Sequence, residues 1–76
     1  MSDVRFTLAF NLRALRRHLG LRQYEVAKLL GITQQTYCGY ELGSTGLSAE
    51  MLCKLSDIYD VSSDVLLRQL YPFKSE

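Results

Sequence analysis

Residues Gln23 to Glu41 read Q-Y-E-V-A-K-L-L-G-I-T-Q-Q-T-Y-C-G-Y-E, and the spacing of their apolar side chains decides the fold. Val26, Ala27 and Leu30 recur at i, i+1 and i+4, one face of a short helix. After a Gly-Ile-Thr turn, Tyr37 and Tyr40 share a face at i and i+3, which sets Gln34, Gln35 and Cys38 at other angles round a second helix. Gly31 suits the left-handed residue that ends a helix, and Thr33 suits the N-cap of the next. Ala27 is small, as a close crossing of two helices requires. The stretch therefore predicts two short helices joined by a tight turn, the second opening on a pair of amides.

Those amides carry the first chemical inference. A glutamine side chain accepts from adenine N6 and donates to N7 at once, so an amide at a helix start matches an A·T pair in the major groove. A threonine methyl packs on a thymine methyl in the same way, which adds Thr33 to Gln34 and Gln35 as candidate base readers. The plainer alternative is that two exposed glutamines only solubilise a helix end.

Around the motif, several further runs keep a fixed mutual spacing. Gln23, Ala27, Gly31, Ile32, Tyr37, Tyr40 and Glu41 sit where the Cro/cI-type (Xre-like) helix-turn-helix family places its signature, and the chain resembles that family. Upstream, L-R-A-L-R-R-x-x-G-L-R-Q is similar to the family's first helix and turn. Downstream, Y-E-L-G-S-T-G-L-S-A-E-M-L resembles a Y-E-x-G-x-x-x-P-S-x-E-x-L run, and V-S-S-D-V-L-L resembles V-S-x-D-x-L-L. The likeness covers roughly residues 8 to 67.

The resemblance implies an all-α, five-helix repressor-type domain that binds double-stranded DNA and regulates transcription. In phage repressors of this family a similar T-Q-Q run contacts bases, which assigns that role to Gln34 and Gln35. Gln23 matches a glutamine that bonds a backbone phosphate beside a helix N-terminus, with Arg13, Arg22 and Lys28 as helpers. Arg16 and Glu41 match a buried salt bridge tying the first helix to the end of the third. Three departures stand out. Arg22 replaces the Ser or Thr expected at the N-cap of the second helix, leaving Gln23 to help there. The loop 43–47 has no Lys or Arg, and Cys38 and Gly39 occupy positions where polar or basic residues are common. Gly39 costs about 1 kcal/mol of helix stability relative to Ala, unless a bound DNA backbone approaches closely there.

Composition narrows the remaining possibilities. A chain of 76 residues holds one domain, and 47% apolar with 22% charged residues is ordinary for a globular protein. No apolar run reaches the 18 or more residues of a membrane span, and the N-terminus lacks a signal-peptide pattern, so a cytoplasmic location is expected. Cys38, Cys53 and the single His18 do not make a metal site, and the two thiols are expected to be reduced. No nucleophile–histidine pair or glycine-rich phosphate loop is present, so neither catalysis nor a cofactor is expected. Net charge is only +1, but it divides into +4 through residue 34 and −3 beyond it, an asymmetry that orients a polyanion.

Read in order, the first seven residues are ambiguous. Val4, Phe6, Leu8 and Phe10 alternate like a strand, whereas Leu8, Leu12, Leu15 and Leu19 repeat like a helix. The longer pattern predicts a first helix from about residue 6 to 18, closed by Gly20. Helices follow over 23–30 and 34–42, then one capped by Ser48 with Leu52, Leu55 and Tyr59 inward and Ser56 as a small neighbour. A fifth is capped by Ser62, with Leu66, Leu67 and Leu70 apolar. Pro72 ends regular structure, and 74–76 is expected to fray. Tyr37 and Tyr40 are expected in the core with their hydroxyls at its rim. Val65, Leu67, Leu70, Tyr71 and Phe73 exceed what one helix face buries. Of these, Leu67, Leu70, Tyr71 and Phe73 are a candidate homodimer surface on a palindromic operator, unless Tyr71 and Phe73 fold back over the domain's own core. A switch or antitoxin-like protein holding a protein partner, or an interaction module using the motif as scaffold, remains open.

Overall fold

The computed structural model describes residues 3–73. Five helices, α1 Val4–His18, α2 Gln23–Leu30, α3 Gln34–Leu42, α4 Ala49–Tyr59 and α5 Ser63–Arg68, account for the regular structure, and no strand occurs among the described residues. The tail expected to fray over 74–76 lies outside them.

Helix ends follow from local chemistry. The Asp3 carboxylate accepts the Arg5 N–H at 3.0 Å, so α1 begins earlier than the apolar repeat suggests. Val4 and Phe6 are exposed while Leu8 is buried, which disposes of the strand alternative, since a half-buried strand would put all three on one face. At α2, Arg22 has no acceptor to offer, and the cap comes from Glu25, whose side chain accepts the Arg22 N–H at 2.7 Å. The help expected of Gln23 is thus supplied two residues later. Gly31 takes φ +73° and the Ile32 N–H reaches back to the Ala27 carbonyl, after which Thr33 Oγ1 accepts the Thr36 N–H at 3.1 Å. Ser48 and Ser62 cap α4 and α5 through the N–H groups of Met51 and Val65. Ser56 is more than a small neighbour: its hydroxyl donates to the Val61 carbonyl at 2.6 Å, fastening the turn after α4.

The core is built from Leu8, Leu12 and Leu15 of α1, Val26, Ala27 and Leu30 of α2, Tyr37 and Tyr40 of α3, Leu55 and Tyr59 of α4, and Leu66 of α5. Two inward expectations need correction. Leu19 is half exposed because it is the C-cap of α1, where the chain turns before another helical residue could face inward. Leu52 packs only at the margin. The Tyr37 hydroxyl is not at a rim either: it is buried and meets the Tyr59 hydroxyl at 2.8 Å.

The end of the chain returns onto α1. Asn11, fully buried, donates through Nδ2 to the carbonyls of Leu66 and Gln69 at 2.8 and 2.5 Å, and its Oδ1 accepts the Tyr71 N–H at 2.8 Å. Tyr71 then lies 5.8 Å from the His18 ring and 5.6 Å from Phe73. Leu67, Tyr71 and Phe73 pack against the domain's own core, and Leu70 alone of the four candidate dimer residues is largely exposed. Much of the apolar excess read from the sequence thus leans on the core of its own chain, with Val65, Leu67, Tyr71 and Phe73 left half-buried.

Because one amide satisfies three backbone groups in and just beyond a short final helix, Asn11→Ala is expected to destabilise the domain by about 2–4 kcal/mol. Asn11→Asp should cost more, since a carboxylate would face two carbonyl oxygens without a proton to share. Urea unfolding monitored by circular dichroism measures both. Equal stability of the two variants would contradict the donor role of Nδ2.

Candidate nucleic-acid interface

Helix α3 exposes one side only. Tyr37, Gly39, Tyr40 and Glu41 are buried, while Gln34 and Gln35 are exposed at its start, Cys38 is half-buried one turn on, and Leu42 is exposed at its end. Glutamines at the first two helical positions project forward from the helix, clear of the core. The Thr33 hydroxyl is committed to the cap and to the Thr36 hydroxyl, 2.8 Å away, which leaves its methyl as the free group. Leu42, an apolar side chain at the far end of the exposed stripe, was not anticipated from the sequence.

What fixes the direction of α3 is an ion pair between the buried Glu41 carboxylate and the half-buried Arg16 guanidinium. Arg16 Nε donates to Glu41 Oε2 at 2.6 Å and its terminal nitrogen donates to Oε1 at 3.0 Å, a two-pronged contact that sets both distance and plane. The guanidinium also donates to the Leu21 carbonyl at 3.0 Å, in the turn between α1 and α2. Gln23 Nε2 donates to Glu41 Oε1 at 3.0 Å. One carboxylate thus gathers α1, α2 and α3 beside the Tyr37–Tyr59 hydroxyl pair. Burial pushes the Glu41 carboxyl up, but the hydrogen bonds from Arg16 and Gln23, with Tyr37 nearby, outweigh it and hold the group below its ordinary value of 4.5. Hydrogen bonding to Glu41 in turn raises Arg16. Burial pushes Tyr59 up to about 12 and Tyr37 further still, so both phenols are neutral at ordinary pH.

The residues named as phosphate contacts are not gathered in one place. Gln23 is half-buried with one amide hydrogen spent on Glu41, leaving the other and the open N–H groups of the first turn of α2 for an anion. Arg22 and Lys28 are exposed, Lys28 in a shallow groove with Leu21, Tyr24, Glu25 and Leu29. Arg13 lines a different groove with Phe10, Ala14 and Arg17 on the outer face of α1. The role of Gln23 in the ion-pair network had no signal in the sequence beyond its place in the motif.

Gly39 has an intramolecular explanation. A methyl group there would overlap the Thr45 hydroxyl and approach Thr45 Cβ to 2.9 Å. The Ser44 and Thr45 N–H groups both donate to the Gly39 carbonyl, at 3.0 and 3.3 Å. The loop after α3 is therefore folded against the helix at the residue without a side chain, and the space expected for a DNA backbone is filled by the chain itself. Cys38 and Cys53 are free thiols. Among the described residues no three His, Cys, Asp or Glu side chains gather in a way that could hold a metal ion, and no helix is long and apolar enough to cross a membrane.

Comparison with known proteins agrees with this geometry. Residues 12–66 match the helix-turn-helix family. The chain is similar to the HTH-type transcriptional regulator YqaE of Bacillus subtilis, 43% identical over 58 residues that make up 76% of this chain and 50% of that protein. It is also similar to the SPbeta prophage-derived HTH-type transcriptional regulator YonR of the same organism, 42% identical over 75% of this chain and 53% of that one. The chain spans about half the length of these curated relatives. Among solved structures, a hypothetical transcription factor, NHTF, from Neisseria superposes with a TM-score of 0.78 at 26% identity, over 86% of this chain and 75% of that one. The clp gene regulator ClgR from C. glutamicum shares the fold, with a TM-score of 0.76 at 22% identity over 88% and 87% of the two chains.

Two outcomes follow from the packing round α3. Glu41→Ala leaves the half-buried Arg16 charge without its partner and is expected to cost roughly 3 kcal/mol, enough to threaten so small a domain. Because the folded-state carboxyl titrates below 4.5, its contribution is present above that pH and lost as pH falls through the lower folded value. The stability gap between wild type and Glu41→Gln should therefore narrow on acidification below about pH 4.5, and a gap independent of pH would contradict the pairing. Gly39→Ala gains about 1 kcal/mol of helix propensity but overpacks Thr45, for a net loss of about 1–2 kcal/mol. Adding Thr45→Gly should reverse the sign of the Gly39→Ala effect in thermal melts.

Proposed function

The chain belongs to the helix-turn-helix family, and from that premise we propose that it binds double-stranded DNA sequence-specifically and regulates transcription, as a homodimer on a palindromic operator in the cytoplasm. The observation that carries this reading is the exposed start of α3, where Gln34 and Gln35 project from a helix whose other side is locked by the Arg16–Glu41 pair. A rigid helix presenting two amides suits the major groove, where Gln pairs bidentately with adenine and the Thr33 methyl reaches a thymine methyl. The start of α2 supplies the backbone grip, with Gln23 and the first-turn N–H groups on a phosphate and Arg22 and Lys28 beside them. With few cations to offer, one domain contacts few phosphates, so a single copy binds weakly and two copies on successive major grooves, about 10–10.5 bp apart, supply the affinity.

Selection of bound sequences from random DNA, followed by affinity measurements, tests this. Gln34→Ala or Gln35→Ala is expected to weaken cognate binding by about 1–3 kcal/mol and to relax preference at one base pair, with little change on random duplex. Equal losses on both would remove the glutamines from base reading. Affinity for random duplex that does not fall with added salt would replace DNA binding with a protein-interaction role for the domain.

A further inference from the structure

The outer face of α1 carries a stripe of which the DNA-binding reading uses Arg13 at most. Asp3, Phe6, Phe10, Arg13 and Arg17 follow at intervals of three, four, three and four, the a/d spacing of a helix that packs lengthwise on another helix. All five are exposed, Phe6 to 64% and Phe10 to 39%. Arg13 and Arg17 make no ion pair among the described residues, and Asp3 spends one carboxylate oxygen on its cap. The side of α1 that meets α3 is another one, marked by Arg16 on Glu41 and by Arg5 and Ala9 beside Gly43. Phe10, Arg13, Ala14 and Arg17 border a shallow groove along the stripe.

We propose that this stripe is a self-association surface that takes α1 of a second copy of the chain, antiparallel to the first. Antiparallel helices pair a positions with d positions, and here that register does two things at once. Phe6 of each copy meets Phe10 of the other, so four phenylalanine rings close together at the two-fold axis. Arg13 of each copy meets Asp3 of the other, so an opposite-charge pair stands at both ends of the ring cluster. A parallel arrangement would oppose Asp3 to Asp3 and Arg13 to Arg13. The stripe is therefore self-complementary in one direction only, which an isologous interface requires and a merely greasy helix face does not. Two exposed phenylalanines on one helical face of a small domain are the apolar centre, and the flanking charges set the register. The surface is small, so the dimer is weak: about half-formed near 0.1 mM chain.

Sedimentation of the free protein without DNA tests this separately from operator binding, which neither supports nor removes it. The wild-type chain should shift from one-chain to two-chain mass between about 10 µM and 1 mM. Phe6→Ser with Phe10→Ser, at two exposed positions, should stay at one-chain mass throughout while keeping its helical circular dichroism. Arg13→Glu alone and Asp3→Lys alone each place like charges opposite one another and should weaken self-association by roughly tenfold or more. Mixed in equal amounts, those two proteins carry complementary pairs at both ends and should form a heterodimer at least as readily as wild type. One-chain mass for wild type at 1 mM, undiminished dimer in the double serine variant, or a mixture no more associated than its components would overturn the proposal.

Discussion

The arrangement of the first three helices depends on one buried carboxylate. Glu41 sits at the end of α3 and receives Arg16 from α1 and Gln23 from α2, so displacing any one of the helices breaks a charge-assisted bond in low dielectric. Such a pair is poor value as raw stability, because desolvating both ions offsets much of their attraction. Its worth lies in direction. Apolar contacts among Leu12, Val26, Ala27 and Tyr37 tolerate small slides and rotations, whereas a two-pronged guanidinium–carboxylate contact tolerates few. The Tyr37–Tyr59 hydroxyl pair extends the same constraint to α4 without adding a charge.

Polar ties at the periphery answer a problem of size. A chain this short buries a small core, and its last helix has only six residues, too few to persist by propensity. Asn11 compensates by satisfying three backbone groups between Leu66 and Tyr71 from the middle of α1, which pins the chain end where Tyr71 and Phe73 can cover apolar surface. Gly39 plays a comparable part at the other end of the domain. By omitting a side chain it lets the 43–46 loop close onto α3, with the Gly39 carbonyl as acceptor for two successive N–H groups.

How much of this was legible from the residues depends on the range of the interaction. Helix positions, the Gly31 and Gly43 ends, and the Thr33, Ser48 and Ser62 caps rest on contacts within four residues, and spacing alone reveals them. The ends that depended on a less usual partner did not emerge: Asp3 moved the start of α1, and Glu25 capped α2 from inside it. Contacts between distant positions were accessible only by resemblance, as with Arg16 and Glu41, or not at all. Nothing near Asn11 in the chain signals that residues 55 to 60 positions later will need its amide. The surplus of apolar residues after Val65 was visible, but whether it would cover the same chain or another is a matter of where the backbone turns, which Asn11 decides.

The distribution of charge bears on how a domain of this kind achieves selectivity. Among the described residues, Lys54 and Arg68 are paired with Glu50 and Asp64 on their own helices, while the cations without an ion pair, Arg5, Arg13, Arg17, Arg22 and Lys28, lie on α1, on α2 and at the residue that precedes α2. The free positive charge is thus concentrated on the first two helices, although on more than one face, and the loop after α3, where a cation would add undirected attraction, carries none. Lowering the phosphate contribution weakens binding to every sequence alike, whereas the amides at the start of α3 act only on matching bases. Within the proposed role, a neutral loop thus reduces nonspecific occupancy more than it reduces discrimination. In the dimeric binding proposed above, the affinity given up by each copy would return through joint engagement of two, making the association of copies part of the recognition chemistry.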